Sequence, residues 1–353
     1  MIVSTASLRN IRSYARLDLD LEPGLVLVVG ENGAGKTNLL ESLHVGTQGF
    51  SPRTRADAQL VRFGESAGRV ALKGRRGESA LDVELTLAVG EGKRAKFNGA
   101  QLRAAEQLRS EIATLVFTPD RLAVVKGGPA VRRAYFDRTL GRLAPARAQL
   151  PTEYGAAVAQ RNAALRRVAG GYSSRDALSP WTEQVALLGR QLVEARGEVL
   201  AALAPGFAER AGELGLPAAR MTYDGEPPSV AALEARLDRD LERGSTGLGP
   251  HLDDVVLTSA GRDLRSFGSQ GEQRLTVLAL LLAEAELIAE RRGFAPLLLL
   301  DDVLSELDPN RRRVLAERVQ GSGQTLVTAT QSTSLPVPPA QLLEVTPGQV
   351  KAA

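Results

Sequence analysis

Gly30-Glu31-Asn32-Gly33-Ala34-Gly35-Lys36-Thr37 stands between an apolar run, Leu25 to Val29, and a segment with Leu39, Leu40 and Leu43 at helical spacing. The order strand, glycine-rich loop, helix is that of a P-loop, G-x-x-x-x-G-K-[ST]. Glycines let the loop wrap closely, so that backbone N–H groups meet phosphate oxygens at a helix N-terminus whose dipole favours an anion. In this reading Gly30, Glu31, Asn32, Gly33, Ala34 and Gly35 form the cradle, Lys36 neutralises the β and γ phosphates of ATP, and Thr37 offers a hydroxyl to Mg2+.

A phosphate cradle needs a metal carboxylate, and Leu297-Leu298-Leu299-Leu300-Asp301-Asp302 supplies the pattern. Four consecutive apolar residues read as a buried parallel strand, which places both acids at its carboxyl end, where ligands bind in open α/β sheets. Asp301 is predicted to hold the metal opposite Thr37, and Asp302 to polarise the attacking water. Between the two motifs lies Ser266-Phe267-Gly268-Ser269-Gln270-Gly271-Glu272, ahead of an apolar helical run from Leu275 to Ile288. Such a turn is either a second anion site or a helix cap built from a serine and a glutamate. Ser305-Glu306-Leu307-Asp308 and a strand-like run, Gln324 to Thr328, follow.

The chain has no cysteine, which excludes disulfides and thiolate metal sites and is compatible with a reducing, cytoplasmic setting. No run approaches the 18 or so apolar residues of a membrane span, and Met1 to Tyr14 lacks an apolar signal core, so a soluble, unexported protein is expected. Net charge is only +3, but 38 of the 44 basic residues are arginine, whose forked donors suit phosphate. They cluster: Arg121 to Arg167 holds ten bases against two acids, whereas residues 201–245 hold five against eight. The first of these stretches is predicted to be a positive surface.

Leu17, Leu19 and Leu21 alternate with Asp18 and Asp20, a strand with one wet face, and Glu22-Pro23-Gly24 predicts a hairpin into the P-loop strand. Arg69 to Leu72 and Leu81 to Val89 read as strands, and Asn98-Gly99 as a tight hairpin turn. Strand signals vanish after the short run Leu115 to Phe117. Trp181, Val185, Leu188, Leu192, Ala195 and Val199 then fall on one helical face. The expected architecture is an α/β P-loop ATPase head with an antiparallel β lobe, formed by residues 1–118 and 246–353, and an inserted all-α arm, 119–245.

The P-loop, Ser-x-Gly turn, Asp-Asp strand and Ser-x-Leu-Asp turn, in this order, resemble the ABC-type ATPase heads of transporters, SMC proteins and double-strand-break repair ATPases. Further blocks resemble the RecF family of bacterial recombination proteins: Asn32 to Ser42, Ser51-Pro52-Arg53-Thr54, Phe117-Thr118-Pro119-Asp120, Val125 to Pro129, Arg132-Arg133, Gln160-Arg161-Asn162 and Gly249-Pro250-His251-Leu252-Asp253-Asp254. The resemblance implies a head that dimerises on binding ATP and grips double-stranded DNA, at gaps with single-strand/double-strand junctions. It further implies slow, DNA-stimulated ATP hydrolysis and support of RecA loading together with RecO and RecR. It implies that Ser269, Gln270, Gly271 and Glu272 act in trans on the partner's nucleotide, that Asp308 lies at the dimer seam, and that Arg53 or Arg55 couples DNA to the nucleotide. Lys126, Arg132 and Arg133 in the basic run are expected to contact DNA phosphates.

The sequence departs from ABC heads in carrying Glu272 for Gln, Asp302 for Glu, no Gln after Phe117, and Thr328-Ala329-Thr330 where a switch His is expected. Slow hydrolysis follows from these departures. The alternative, a nucleotide-binding subunit of an ABC transporter, needs a shorter and less basic insert.

Overall fold

Strand β3 (Gly24–Val29), whose Leu25 to Val29 are all buried, cannot lie at a sheet edge facing water, and the computed structural model gives it neighbours on both sides. The structure describes residues 1–305, 307–321 and 323–353; Glu306 of the Ser-Glu-Leu-Asp turn lies outside the described residues. The remaining strands, in chain order, are β1 (Ile2–Ile11), β2 (Tyr14–Asp20), β4 (Ala67–Arg76), β5 (Ser79–Ala88), β6 (Gly92–Phe97), β7 (Ala100–Gln101), β8 (Thr114–Phe117), β9 (Arg220–Asp224), β10 (Asp254–Ser259), β11 (Arg262–Asp263), β12 (Leu297–Leu300), β13 (Gln324–Ala329), β14 (Gln341–Thr346) and β15 (Gln349–Ala352).

The chain divides into two compact units. The first comprises Met1–Arg121, Glu213–Gly215 and Val277–Ala353. It holds a sheet in the order β15-β14-β3-β13-β12-β8 and an antiparallel sheet in the order β2-β1-β4-β5-β6-β7. In the former, β14, β3, β13, β12 and β8 run parallel, with Leu297 to Leu300 fully buried between β13 and β8. The helix Lys36–Gln48 leaves β3 through the P-loop, and its Leu39 and Leu43 join one core with Leu8, Leu17, Val70, Leu72 and Leu85 of the antiparallel sheet. The α/β head with an antiparallel lobe is therefore present.

Two expectations are corrected here. Glu22-Pro23-Gly24 does not close a hairpin: β2 pairs with β1, Leu17 opposite Leu8, while β3 pairs with β13 and β14. The turn carries the chain from one sheet to the other. The half-polar β2 suits an outer strand with one wet face, whereas the continuously apolar β3 requires a central place.

The second correction concerns the insert. The second unit is Leu122–Gly212 and Leu216–Thr276, extending well past residue 245, and it is not all helical. Its helices Pro129–Leu143, Leu150–Ala169 and most of Ser179–Glu213 are joined by a three-stranded sheet, β11-β10-β9. Asp254 to Thr258 pair with Asp224 to Arg220, so residues near 254 belong with the helices and not with the head. This pairing closes a loop of about thirty residues, which local periodicity does not report.

Candidate functional site: a phosphate cradle and a carboxylate

Strands β3 and β12 are not neighbours; β13 lies between them. Their carboxyl ends lie side by side, with Val327 opposite Leu27 on one side and opposite Leu300, the last residue of β12, on the other. The P-loop after β3, Asp301 and Asp302 after β12, and Thr328 of β13 therefore converge on one cavity of about 330 Å³, also lined by Asn38, Arg53 and Pro119.

Gly35 has a φ of +119° where the loop enters the helix, a conformation open to glycine. Its carbonyl accepts a hydrogen bond of 3.0 Å from the buried Tyr14 hydroxyl, which pins the loop to the antiparallel lobe. Glu31, Asn32 and Gly33 are exposed at the loop's tip. The Lys36 ammonium donates to the carbonyls of Gly30 (2.7 Å) and Glu31 (2.9 Å), and burial lowers its pKa against the opposing pull of Asp301 and Asp302.

Asp301 is 5% exposed, and its Oδ1 accepts from the hydroxyls of Thr37 (3.1 Å) and Thr328 (2.9 Å). Burial raises its pKa, those two hydrogen bonds oppose the rise, and the charge of Asp302 adds to it. A hydroxyl beside a desolvated carboxylate is a hard-oxygen donor set, which fits Mg2+. The Asp302 N–H donates to the Thr328 hydroxyl (2.8 Å), and Asp302 has a φ of +52°, left-handed for a residue with a side chain. Its carboxylate is thereby turned outward and exposed. Thr328, noted in the sequence only for not being histidine, is the residue that joins the Asp301 carboxylate to the Asp302 backbone. Its signal was its place at the end of a buried strand.

Arg53 lines the cavity, donating to the buried Glu41 (3.2 Å). Glu41 also accepts from Arg12 Nε and Nη2 (2.8 Å each) and Ser51 (2.5 Å). Burial would raise the Glu41 carboxyl, but the hydrogen bonds of Arg12 and Ser51 and the charges of Arg12 and Arg53 hold it low. Sequence reading had missed Arg12 and Glu41 as the frame of this side of the cavity. Arg55 is exposed outside that network.

In the second unit Ser269 and Glu272 form a reciprocal capping box at the start of the helix Gln270–Arg292. The Ser269 N–H donates to Glu272 Oε2 (2.8 Å), and the Glu272 N–H donates to the Ser269 hydroxyl (3.2 Å). Ser269, Gln270 and Gly271 are exposed. In the first unit Asp308 caps the helix Pro309–Val319 by accepting from the N–H groups of Asn310 and Arg311.

The basic run forms only part of the positive surface expected of it: Lys126, Arg147, Arg166 and Arg167 are exposed, but Arg132 and Arg161 are buried. Arg132, 3% exposed, donates to both oxygens of Asp254 (2.7 and 2.6 Å) and to the carbonyls of Val125 and Gly127, so its expected role as a DNA contact is corrected to an internal one. Arg161 is fully buried against Asp240, and the half-buried Arg133 donates to the Asp253 carbonyl. Lys126 is exposed. Arginine suits such places because its fork satisfies several buried acceptors at once.

The Gly249 to Asp254 segment is the centre of this network. Gly249 has a φ of +127°, and a Cβ there would lie 2.4 Å from the Tyr154 hydroxyl. His251 Nε2 donates to the Thr246 carbonyl (3.0 Å), which leaves Nδ1 to accept from Tyr154 (2.8 Å). A neutral imidazole satisfies both, and burial, with the charge of Arg133, lowers its pKa from the ordinary 6.5. A lowered histidine pKa contributes stability that is complete above 6.5 and is lost as pH falls below it. Urea unfolding should therefore show a loss of up to about 1 kcal/mol between pH 7.5 and pH 6, and His251→Gln should flatten that slope. An unchanged slope would contradict the neutral assignment.

A P-loop, a buried carboxylate opposite its threonine, and a parallel sheet with an antiparallel lobe define a P-loop ATPase head of the ABC and SMC kind. The comparisons agree. The model of the RecF/RecN/SMC N-terminal domain matches residues 2–350. The DNA replication and repair protein RecF of Heliobacterium modesticaldum is 36% identical over 349 residues, covering 94% of this chain and 92% of the relative. That of Bacillus cereus is 35% identical over the same shares. The chain thus belongs to the RecF family. A solved structure described as the recombination mediator protein RecF with ATP, in the RecFOR pathway, superposes with a TM-score of 0.89 at 27% identity, covering 99% of this chain and 97% of the other. An SMC head bound to a domain of ScpA, at 16% identity and a TM-score of 0.61, shares the fold.

Proposed function

We propose that this protein is an ATP-dependent DNA-binding protein of recombinational repair. In this reading ATP binding drives two heads together on duplex DNA at gaps, slow hydrolysis resets them, and the cycle supports RecA loading with RecO and RecR. The observation that carries the reading is the convergence of Lys36, Thr37, Asp301 and Thr328 on one cavity, in a chain whose relatives are DNA replication and repair proteins. The P-loop N–H groups and Lys36 bind and orient the phosphates, while Thr37 and Asp301 would hold Mg2+, which would supply neutralisation of phosphate charge. Asp302, exposed and fixed through its backbone by Thr328, orients the attacking water and accepts its proton.

Ser269 to Glu272, at an exposed helix start, would meet the partner's γ-phosphate, and Asp308 would lie at the seam between heads. Arg53, reaching from the cavity towards Glu41, would report nucleotide binding to the lobe, with Arg55 beside it. No helix of the described residues is long and apolar enough to cross a membrane.

Light scattering with and without ATP and Mg2+ tests the dimerisation step. Wild type should pass from monomer to dimer with ATP, and Ser269→Arg, which sets a bulky cation at the trans contact, should remain a monomer that still binds ATP. If both dimerise alike, Ser269 is a helix cap alone.

A further inference from the structure

The register of the antiparallel sheet aligns arginines that are scattered in the sequence. Arg16 lies opposite Arg9, Arg9 opposite Arg69, Arg69 opposite Thr86, and Thr86 opposite Arg94. One straight row across β2, β1, β4, β5 and β6 therefore carries four arginines and no acid. It lies on the sheet's outer face, since the alternate residues Leu8, Leu17, Val70 and Leu85 are buried. Side-chain exposure is 77% for Arg16, 52% for Arg69 and 36% for Arg9.

Like charges directly opposite each other destabilise a sheet, so such a row costs folding energy. Asp18 and Glu84 in the next row offset part of it, pairing with Arg9 (2.7 Å), Arg16 (3.2 Å) and Arg69 (3.1 Å). Exposed pairs of this kind are weak and readily exchanged for another anion. At the far end Arg94, which has no ion pair among the described residues, opens with the exposed Arg103 onto a cleft of about 410 Å³. Four strand spacings make the row about 19 Å long, which matches five or six base pairs of duplex rise.

We infer that this row is a phosphate track, and that the outer face of the antiparallel lobe is where duplex DNA lies on the head. The inference rests on the DNA-binding reading above and assigns it a surface other than the basic run of the second unit, whose Arg132 and Arg161 are buried. Arginines spread along the outer face of a sheet contact the backbone without reaching into a groove, so the binding is insensitive to sequence.

The test is the affinity of the full-length protein for a short labelled duplex, with ATP, across a salt series. It compares wild type, a triple variant (Arg16→Ala, Arg69→Ala, Arg94→Ala) and a second-unit variant (Lys126→Ala, Arg167→Ala). Each phosphate contact contributes about 0.9 to the slope of log affinity against log salt, so the triple variant should lose about 2.7 of slope. It should bind on the order of 100-fold more weakly at 0.1 M salt, while the second-unit variant follows wild type. ATP binding should be equal in all three. A triple variant with the wild-type slope, or a loss confined to the second-unit variant, overturns the track and leaves DNA binding intact. A wild type that binds no duplex overturns both.

Discussion

Asp301→Asn will hydrolyse ATP on the order of 100-fold more slowly than wild type while its P-loop still binds the nucleotide. Asn keeps the shape and an oxygen for the hydroxyls of Thr37 and Thr328, so the fold at the end of β12 survives. What it loses is the negative charge that, at 5% exposure, would face the bound metal with little water to screen it. Thr328→Val should cost about tenfold in the same single-turnover assay, because the carboxylate remains but loses one of its two hydroxyl donors. A further difference separates the variants: raising Mg2+ should restore part of the rate to Thr328→Val and little to Asp301→Asn. If Asp301→Asn turned over at the wild-type rate, Asp302 alone would have to serve the metal.

Arg161→Met will destabilise the second unit by about 3–5 kcal/mol, the largest effect on stability expected of any single change here. Arg161 and Asp240 are 0% and 1% exposed, joined at 2.8 Å, and Arg161 also donates to Thr246 (2.9 Å) and Thr182 (3.2 Å). Removing the guanidinium strands a carboxylate in the interior. The pair can be separated from the charge by the double change Arg161→Met, Asp240→Leu, which should recover much of the loss by replacing two charges with apolar volume. Recovery stays incomplete, because the Gly247 N–H donates to Asp240 (3.1 Å) and would lose its partner. Urea midpoints measured on the three proteins decide this. A loss below about 1 kcal/mol for Arg161→Met would mean that water reaches the pair after all.

The sequence was a good guide to chemistry and a poor guide to which cations are free. Arginines 132, 161 and 133 stood in a run of ten bases against two acids, and charge counting took them for a surface. Their partners, Asp254, Asp240 and the Asp253 carbonyl, are 79 to 122 residues away. Conversely Arg9, Arg16, Arg69 and Arg94 showed no clustering, because strand register assembles them only when four hairpins and crossovers have closed.

Fixed by the chain alone were the P-loop, the apolar strand that ends in Asp301 and Asp302, and the helix that follows the loop. These are local matters: a glycine that permits a positive φ, a run of leucines that must be buried, a lysine six residues past the first glycine. Tertiary structure decided that β13 lies between the two halves of the site, so that Thr328 bridges carboxylate and backbone. It also decided that β9 pairs with β10 and carries residues up to Thr276 into the second unit. Both depend on which strands become neighbours, and that is settled by burying whole sheet faces at once, a condition no short stretch of sequence expresses.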